Sequence, residues 1–309
     1  MKKIVVVTPT FNEEDNIPLI HAAVRKVFES LSYEYTHLFI DNCSTDKSQN
    51  ILRKLASKYR NIQVIINEAN FGHVRSPYYG MISANGDAII MIGADLEEPP
   101  ELLVDFIRGW EEGYKVVAGV RKSSDAGFFL NGLKKIFYKS LNLITSNNLI
   151  ENFTGFGLYD KSVIELIKKI DDRNPYFRGM VSELGFSVKK IPYKQNKRQF
   201  GYSKNNLMTL YDSAMLGLTS NSYLTIRLMS FFGFFVGFIS FCLSIYYILM
   251  KIIHWNSYDM GVAPLVIGMY MILGFVMFFL GILGEYIRSI HIKSQNRPVV
   301  VVKELINFD

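Results

Sequence analysis

The sequence predicts an α/β fold, a mostly parallel sheet with flanking helices, followed by C-terminal transmembrane helices. Through about residue 120, short apolar runs alternate with amphipathic stretches at strand and helix spacing. Residues 228–250 and 261–284 then run 23 and 24 positions without a charge. The composition fits both parts: 49% hydrophobic and a net charge of +6 over 309 residues. A mean hydropathy of +0.14 is high for a soluble chain and low for a multi-span transporter. Disordered, collagenous and disulfide-scaffold classes are excluded.

The expected strands are 4–8, 37–41, 63–67, 88–92 and 115–120. The helices between them are 15–31, 46–59, 74–84 and 100–112. Strands separated by helices pair in parallel and are covered on both faces, as the unbroken run Ile4-Val5-Val6-Val7 requires. Further on, Phe129, Leu133, Ile136, Phe137, Leu141 and Ile144 recur at helical spacing beside Lys134, Lys135 and Lys139. Leu207, Leu210, Tyr211, Met215 and Leu218 form a second such stripe. Both are read as helices lying in the membrane surface. The two uncharged runs each reach roughly 35 Å as helices, against a hydrocarbon core of roughly 30 Å, and are read as spans. Arg227 precedes them and Arg288, Lys293 and Arg297 follow, so both termini are expected in the cytoplasm. The apolar run after Met1-Lys2-Lys3 is too short for a secretory leader. Gly233-x-x-x-Gly237 is a close helix-packing spacing, which serves the two spans of one chain or a homo-oligomer.

Several functions are excluded by spacing. Cys43 and Cys242 sit in settings too different for a bridge, and two cysteines make no zinc site. Gly155-Phe156-Gly157 lacks the third glycine of a dinucleotide loop, and Leu133 replaces the lysine that a Walker loop over Gly127–Gly132 needs. The basic run Lys194, Lys197, Arg198, Lys204 is short and lies next to membrane spans, which favours anionic lipid over nucleic acid.

In such sheets ligands bind beyond the carboxyl ends of the strands. Those ends read Thr8-Pro9-Thr10-Phe11-Asn12-Glu13-Glu14, Asp41-Asn42-Cys43-Ser44-Thr45-Asp46, Asn70-Phe71-Gly72-His73 and Gly93-Ala94-Asp95-Leu96-Glu97-Glu98-Pro99-Pro100-Glu101. In this order they resemble family 2 glycosyltransferases of the GT-A fold, and more closely the polyisoprenyl-phosphate glycosyltransferases. Arg198-x-x-Gly201-x-Ser203-Lys204 and the stretch from Gly284-Glu285-Tyr286 to Asn296-Arg297-Pro298 extend the likeness over nearly the whole chain. The resemblance implies a cytoplasmic transferase domain over 1–204 and a juxtamembrane segment over 205–226. Two spans over 227–287 and a cytoplasmic tail over 288–309 complete the chain.

It also implies a membrane-bound inverting transferase that moves one sugar from a nucleotide-sugar, a UDP-sugar before a GDP-sugar, to a polyprenyl phosphate. Pro9, Phe11, Glu13, Asp41, Asn42, Asn70 and Asp95 then form the donor site, with Asn42 offering its amide oxygen to the base. Asp95 and Glu97 are the ligands for Mg²⁺ or Mn²⁺, a hard cation that screens a leaving diphosphate. Gly93 stands where the family has an acid, and Glu97 where it has glutamine. Arg121, Arg198 and Lys204 are the cations for the phosphates, with arginine suited to bidentate contact. His73 is read as a loop residue rather than a base, and Asp46 as a helix cap. The rival readings are a transferase with another lipid acceptor, or a non-catalytic nucleotide-sugar-binding or lipid-flipping accessory protein. The sugar itself is not legible.

Overall fold

The computed structural model describes residues 2–122, 150, 152–170, 172, 175–196, 262–295 and 297–308, with scattered helical positions between 232 and 253. The elements run β1 (Lys3–Thr10), α1 (Asn16–Phe28), β2 (Glu34–Asp41), α2 (Ser48–Lys58), β3 (Ile62–Asn67) and α3 (Gly72–Ser83). Next come β4 (Ala88–Met91), α4 (Leu102–Glu111), β5 (Val116–Arg121), β6 (Phe153–Asp160), α5 (Lys161–Ile170) and α6 (Phe177–Glu183). The chain closes with β7 (Val188–Tyr193), α7 (Val262–Ser294) and β8 (Val302–Ile306). The surface helices expected from residues 129–144 and 207–218 lie outside the described residues.

One eight-stranded sheet runs β7-β5-β6-β4-β1-β2-β3-β8. All strands share one direction except β6 and β8, which are antiparallel to their neighbours. Alternation along a strand sends neighbouring side chains to opposite faces. Thus Ile4 and Val6 join the core under α1, α2 and α4, while Val5 and Val7 join the one under α3, α5 and α6. The glycines of Gly155-Phe156-Gly157 lie inside β6, where a Cβ on Gly157 would sit 2.5 Å from the Val117 carbonyl oxygen. Close strand approach accounts for that glycine, in keeping with the rejected dinucleotide loop.

The region read as a tail supplies an edge strand that periodicity did not reveal. β8 pairs with β3, Asn67 opposite Val302 and Val64 opposite Ile306. Arg53 Nη2 meets Glu304 Oε2 at 2.7 Å, and Asn307 Nδ2 donates to the carbonyls of Ala56 and Ile62 at 2.9 and 2.8 Å. Val299 and Val300 are buried in the core under α3.

Helix α7 outruns the uncharged segment, continuing through Glu285 and Arg288 to Ser294. Among the described residues Ile272–Ile292 is long and apolar enough to cross a membrane, and none of its most apolar window is buried. So large an unburied apolar surface is foreign to water. Phe232 of the preceding apolar run packs on Phe275 and Phe279 with ring centroids 5.7 and 5.9 Å apart.

Two stability predictions follow from this packing. The Arg53–Glu304 pair is more than a third exposed on both sides, so Glu304→Ala should cost under about 1 kcal/mol. Removing residues 302–309 should cost about 3 kcal/mol or more, because it uncovers the β3 edge and the apolar surface under it. Thermal melts of both variants in detergent check the contrast. His37 is fully buried beside His21, and among the described residues its Nδ1 lacks a partner. Burial, then the neighbouring His21, hold its pKa well below the usual 6.5. A histidine kept neutral by folding takes up its proton on unfolding, so stability should fall as pH drops below about 6.5. Melts of wild type and His37→Phe across that range should show the decline reduced in the variant.

Candidate active site

The carboxyl ends of β1, β2, β3 and β4 lie side by side, so the four sequence-predicted loops share one edge of the sheet. The first two are laced together. Asn12 N donates to Ser44 Oγ at 2.9 Å and Asn12 Oδ1 accepts from Thr45 N at 2.7 Å. Glu13 N donates to Ser48 Oγ at 2.9 Å, and Glu14 Oε2 accepts from Lys47 N at 3.0 Å. Glu13 Oε2 accepts from the buried Asn16 amide at 2.6 Å. The capping position of α2, expected at Asp46, falls on Lys47; Asp46 stands one residue earlier, its Oδ1 accepting from Ser48 N at 2.9 Å and its Oδ2 from Glu14 N at 3.2 Å. Pro9 and Phe11, both partly exposed, flank this lacing at the end of β1.

Asp41 and Asn42 occupy the expected place but spend their polar atoms on the protein. Asp41 has no exposed surface; its carboxylate accepts from Thr10 Oγ1, Ser44 N, Ser44 Oγ and Gln49 Nε2. Asn42 Oδ1 accepts from Phe71 N at 2.9 Å and Asn67 Nδ2 at 3.3 Å. Its Nδ2 donates to Asn70 Oδ1 at 2.8 Å and the Gly72 carbonyl at 3.3 Å. Both lone pairs of the Asn42 oxygen are therefore taken. The oxygen expected to accept a base N–H is engaged by the protein in this geometry, where Asn42 holds the third loop. Asn70, an exposed residue, also accepts at Oδ1 from Gly72 N at 2.8 Å.

The fourth loop gathers the acids. Glu97 N donates to Asp95 Oδ1 at 3.3 Å, and the Glu97 carboxylate accepts from Gln195 Nε2 and stands 3.9 Å from Arg121 Nη2. Arg121 ends β5, paired with Tyr193 of β7, and its Nε donates to the Tyr193 hydroxyl at 3.2 Å. Asn196 N donates to the Glu97 carbonyl at 2.9 Å, closing the wall. The antiparallel course of β6 brings its amino end to this edge, where Thr154 Oγ1 donates to Glu98 Oε1 at 2.8 Å. Arg198 and Lys204 lie outside the described residues.

Glu98, which sequence analysis names only within its loop motif, is buried on this loop. Its Oε2 accepts from Gly93 N at 2.9 Å, and a Cβ on Gly93 would lie 3.5 Å from that oxygen and 3.2 Å from Asp95 Oδ1. The space left by glycine where the family has an acid is thus bordered by two carboxylates. Burial raises the Glu98 pKa, with Asp95 adding to the rise; the Gly93 and Thr154 bonds and then Arg121 offset part of it.

For a divalent cation, Asp95 and Glu97 offer partly exposed oxygens at a strand end. That donor chemistry fits a hard ion whose other ligands come from a diphosphate and water. Among the described residues no cluster of three metal-ligating side chains forms a complete cage.

Glu98 gives a direct test. Glu98→Gln can still accept from Gly93 N–H and can donate to the Thr154 hydroxyl, but it carries no charge. A carboxyl raised by folding loses stability as pH rises from its unfolded value of about 4.5 through its folded one. Glu98→Gln should therefore gain thermal stability over wild type across that rise. Glu98→Ala should lose roughly 1–3 kcal/mol by stranding both donors.

Known proteins match this chain as follows. Residues 5–167 match the family described as glycosyl transferase family 2. A bactoprenol glucosyl transferase of Shigella phage SfV is 32% identical over 302 residues, covering 97% of this chain and 98% of the relative. An uncharacterized glycosyltransferase, YkcC, of Bacillus subtilis is 31% identical over 300 residues, covering 97% and 93%. The fold is shared with glucosyl-3-phosphoglycerate synthase of Mycobacterium tuberculosis, solved with Mn²⁺, UDP and phosphoglyceric acid. That likeness has a TM-score of 0.50 at 17% identity, over 71% of this chain and 78% of the other.

Proposed function

The chain belongs to glycosyl transferase family 2, and from that premise we propose a membrane-bound, inverting enzyme that transfers one sugar to a polyprenyl phosphate such as undecaprenyl phosphate. The donor is a nucleotide-sugar, a UDP-sugar by preference. The bactoprenol glucosyl transferases among its relatives support the lipid acceptor and make glucose the first sugar to test. One observation carries the reading. The strand that follows apolar helix α7 joins the sheet with Val302 opposite Asn67, at the carboxyl end of β3. The helix therefore returns its chain to the same edge that holds Asp95, Glu97 and Arg121. A donor diphosphate and a phosphate on a membrane lipid can meet there.

The nucleophile is an oxygen of the acceptor phosphate, whose second pKa near about 6 leaves it largely ionised at neutral pH. It needs position and charge screening more than a base. Direct attack on the anomeric carbon, with the nucleoside diphosphate leaving from the opposite face, inverts the configuration. Arg121, steadied by Tyr193 and near Glu97, is assigned to the phosphates. Arg198 and Lys204 are assigned to the acceptor phosphate. The loop around Pro9, Phe11 and Glu13 and the NH₂ of Asn70 are assigned to the nucleoside, with Asp41 and Asn42 holding their loops in shape. Asp95 and Glu97 would hold Mg²⁺ or Mn²⁺, which when bound supplies Lewis-acid screening of the leaving diphosphate. The proposed setting is the cytoplasmic membrane, with two spans and both termini on the cytoplasmic side.

The test incubates purified protein with undecaprenyl phosphate and a panel of labelled UDP- and GDP-sugars. Label entering the organic phase from one UDP-sugar is expected; none from any donor would overturn the function. Asp95→Ala should lower that transfer about 100-fold or more while leaving the melting temperature near wild type, since the carboxylate is partly exposed. Near-normal turnover of this variant with Mg²⁺ or Mn²⁺ would refute the metal assignment.

A further inference from the structure

The chain leaving helix α7 is built into the loop that Asn42 holds. Glu68, just after β3, donates its N–H to the Val301 carbonyl at 2.9 Å. At the other end of the loop, Arg75 of α3 donates from Nη2 to the Pro298 carbonyl at 2.6 Å. The same guanidinium lies over the Phe71 ring, 5.2 Å from its centroid. Phe71 N in turn donates to Asn42 Oδ1 at 2.9 Å. Residues 298–301 therefore grip the loop from Glu68 to Gly72 at both ends. Val299 and Val300 bury themselves beside it in the same core as Tyr78 and Met81 of α3.

Arg75 is an unusual choice for a purely structural contact. Among the described residues its Nε is buried with no partner, and Arg297, which acts on it electrostatically, is another cation. No carboxylate pairs with it among the described salt bridges. What it gains is geometry: a planar group bonds a carbonyl at its rim and lies against an aromatic face at once, which an ammonium cannot do. The contact joins the membrane-proximal chain to the donor loop rather than neutralising charge.

We propose that Arg75 is a positioning residue that couples the seat of helix α7 to nucleotide affinity, by tying Pro298 to Phe71 and so setting the Asn42–Gly72 loop. The inference rests on the donor reading above. Coupling of this kind is reciprocal: if the membrane-proximal chain orders the nucleotide loop, bound nucleotide must order the membrane-proximal chain.

The test uses the full chain in nanodiscs of phosphatidylcholine and phosphatidylglycerol. UDP binding is measured by calorimetry, and transfer kinetics and amide exchange of residues 297–303 are followed alongside. Arg75→Ala should weaken UDP binding at least fivefold and raise the donor KM in step. The kcat at saturating donor should stay within twofold and the melting temperature near wild type. Arg75→Lys should recover only part of the affinity, because it restores charge but not the plane. In wild type, UDP should slow exchange across 297–303; in Arg75→Ala that protection should shrink. If Arg75→Ala shows no cooperative melt, Arg75→Lys carries the same comparison. UDP binding and exchange protection equal to wild type in the variant would overturn the coupling while leaving the donor reading intact. A wild-type chain that binds neither UDP nor GDP would sink the donor reading and the inference together.

Discussion

The Asp41 carboxylate at the end of β2 has no exposed surface, and four donors from Thr10, Ser44 and Gln49 hold it. A buried carboxylate is tolerable only when its lone pairs are met, so the chain after β2 must turn back to present Ser44 and Gln49. Cys43 takes a positive φ of 61° within that turn. Once Ser44 is placed, its hydroxyl is in reach of Asn12 N, and the first loop is set by the second. Asn42, next in the chain, reaches across to Phe71, Asn70 and Gly72 and sets the third. One desolvated anion thus organises three of the four loops on the site edge.

The fourth loop solves a different electrostatic problem. Asp95, Glu97 and Glu98 stand within four residues, and like charges so close repel unless partners or neutralisation intervene. The structure divides them. Glu98 is buried against Gly93 and Thr154 with a raised pKa, while Asp95 and Glu97 stay partly exposed and Glu97 faces Arg121 and Gln195. The partly exposed pair is the one assigned above to a divalent cation. Glycine at position 93 fits this division, since a Cβ there would sit tight against Asp95 Oδ1 at 3.2 Å and touch Glu98 Oε2 at 3.5 Å.

The third constraint is topological. Helix α7 is apolar and unburied along its most hydrophobic stretch, yet the residues after it close the sheet beyond β3. A long unburied apolar helix is thereby fastened to that sheet edge through the backbone hydrogen bonds of β8, a tighter link than a flexible tether. The Pro298–Arg75–Phe71 contacts carry that fastening into the loop beside the donor motifs.

For residues 1–121, periodicity and strand-end motifs determined the architecture, and every strand and helix expected there forms with ends shifted by three residues or fewer. Pro9, Phe11, Glu13, Asp41, Asn42, Asn70, Asp95, Glu97 and Arg121 all gather at one sheet edge because parallel strands put their following loops there. Beyond residue 121 the pattern weakened: β6 is glycine-rich, and β8 is a short edge strand that reads as a tail. Their roles depend on partners distant in the chain, Val117 for Gly157 and Asn67 for Val302. The same holds for polar side chains. Sequence named Asn42 and Glu98 by type, but only folding showed that Asn42 spends its oxygen on Phe71 and Asn67 and that Glu98 turns back to Gly93. Local pattern determines which face of an element is buried, because that depends on near neighbours. Which atom a buried polar group satisfies is decided by residues that meet only in three dimensions.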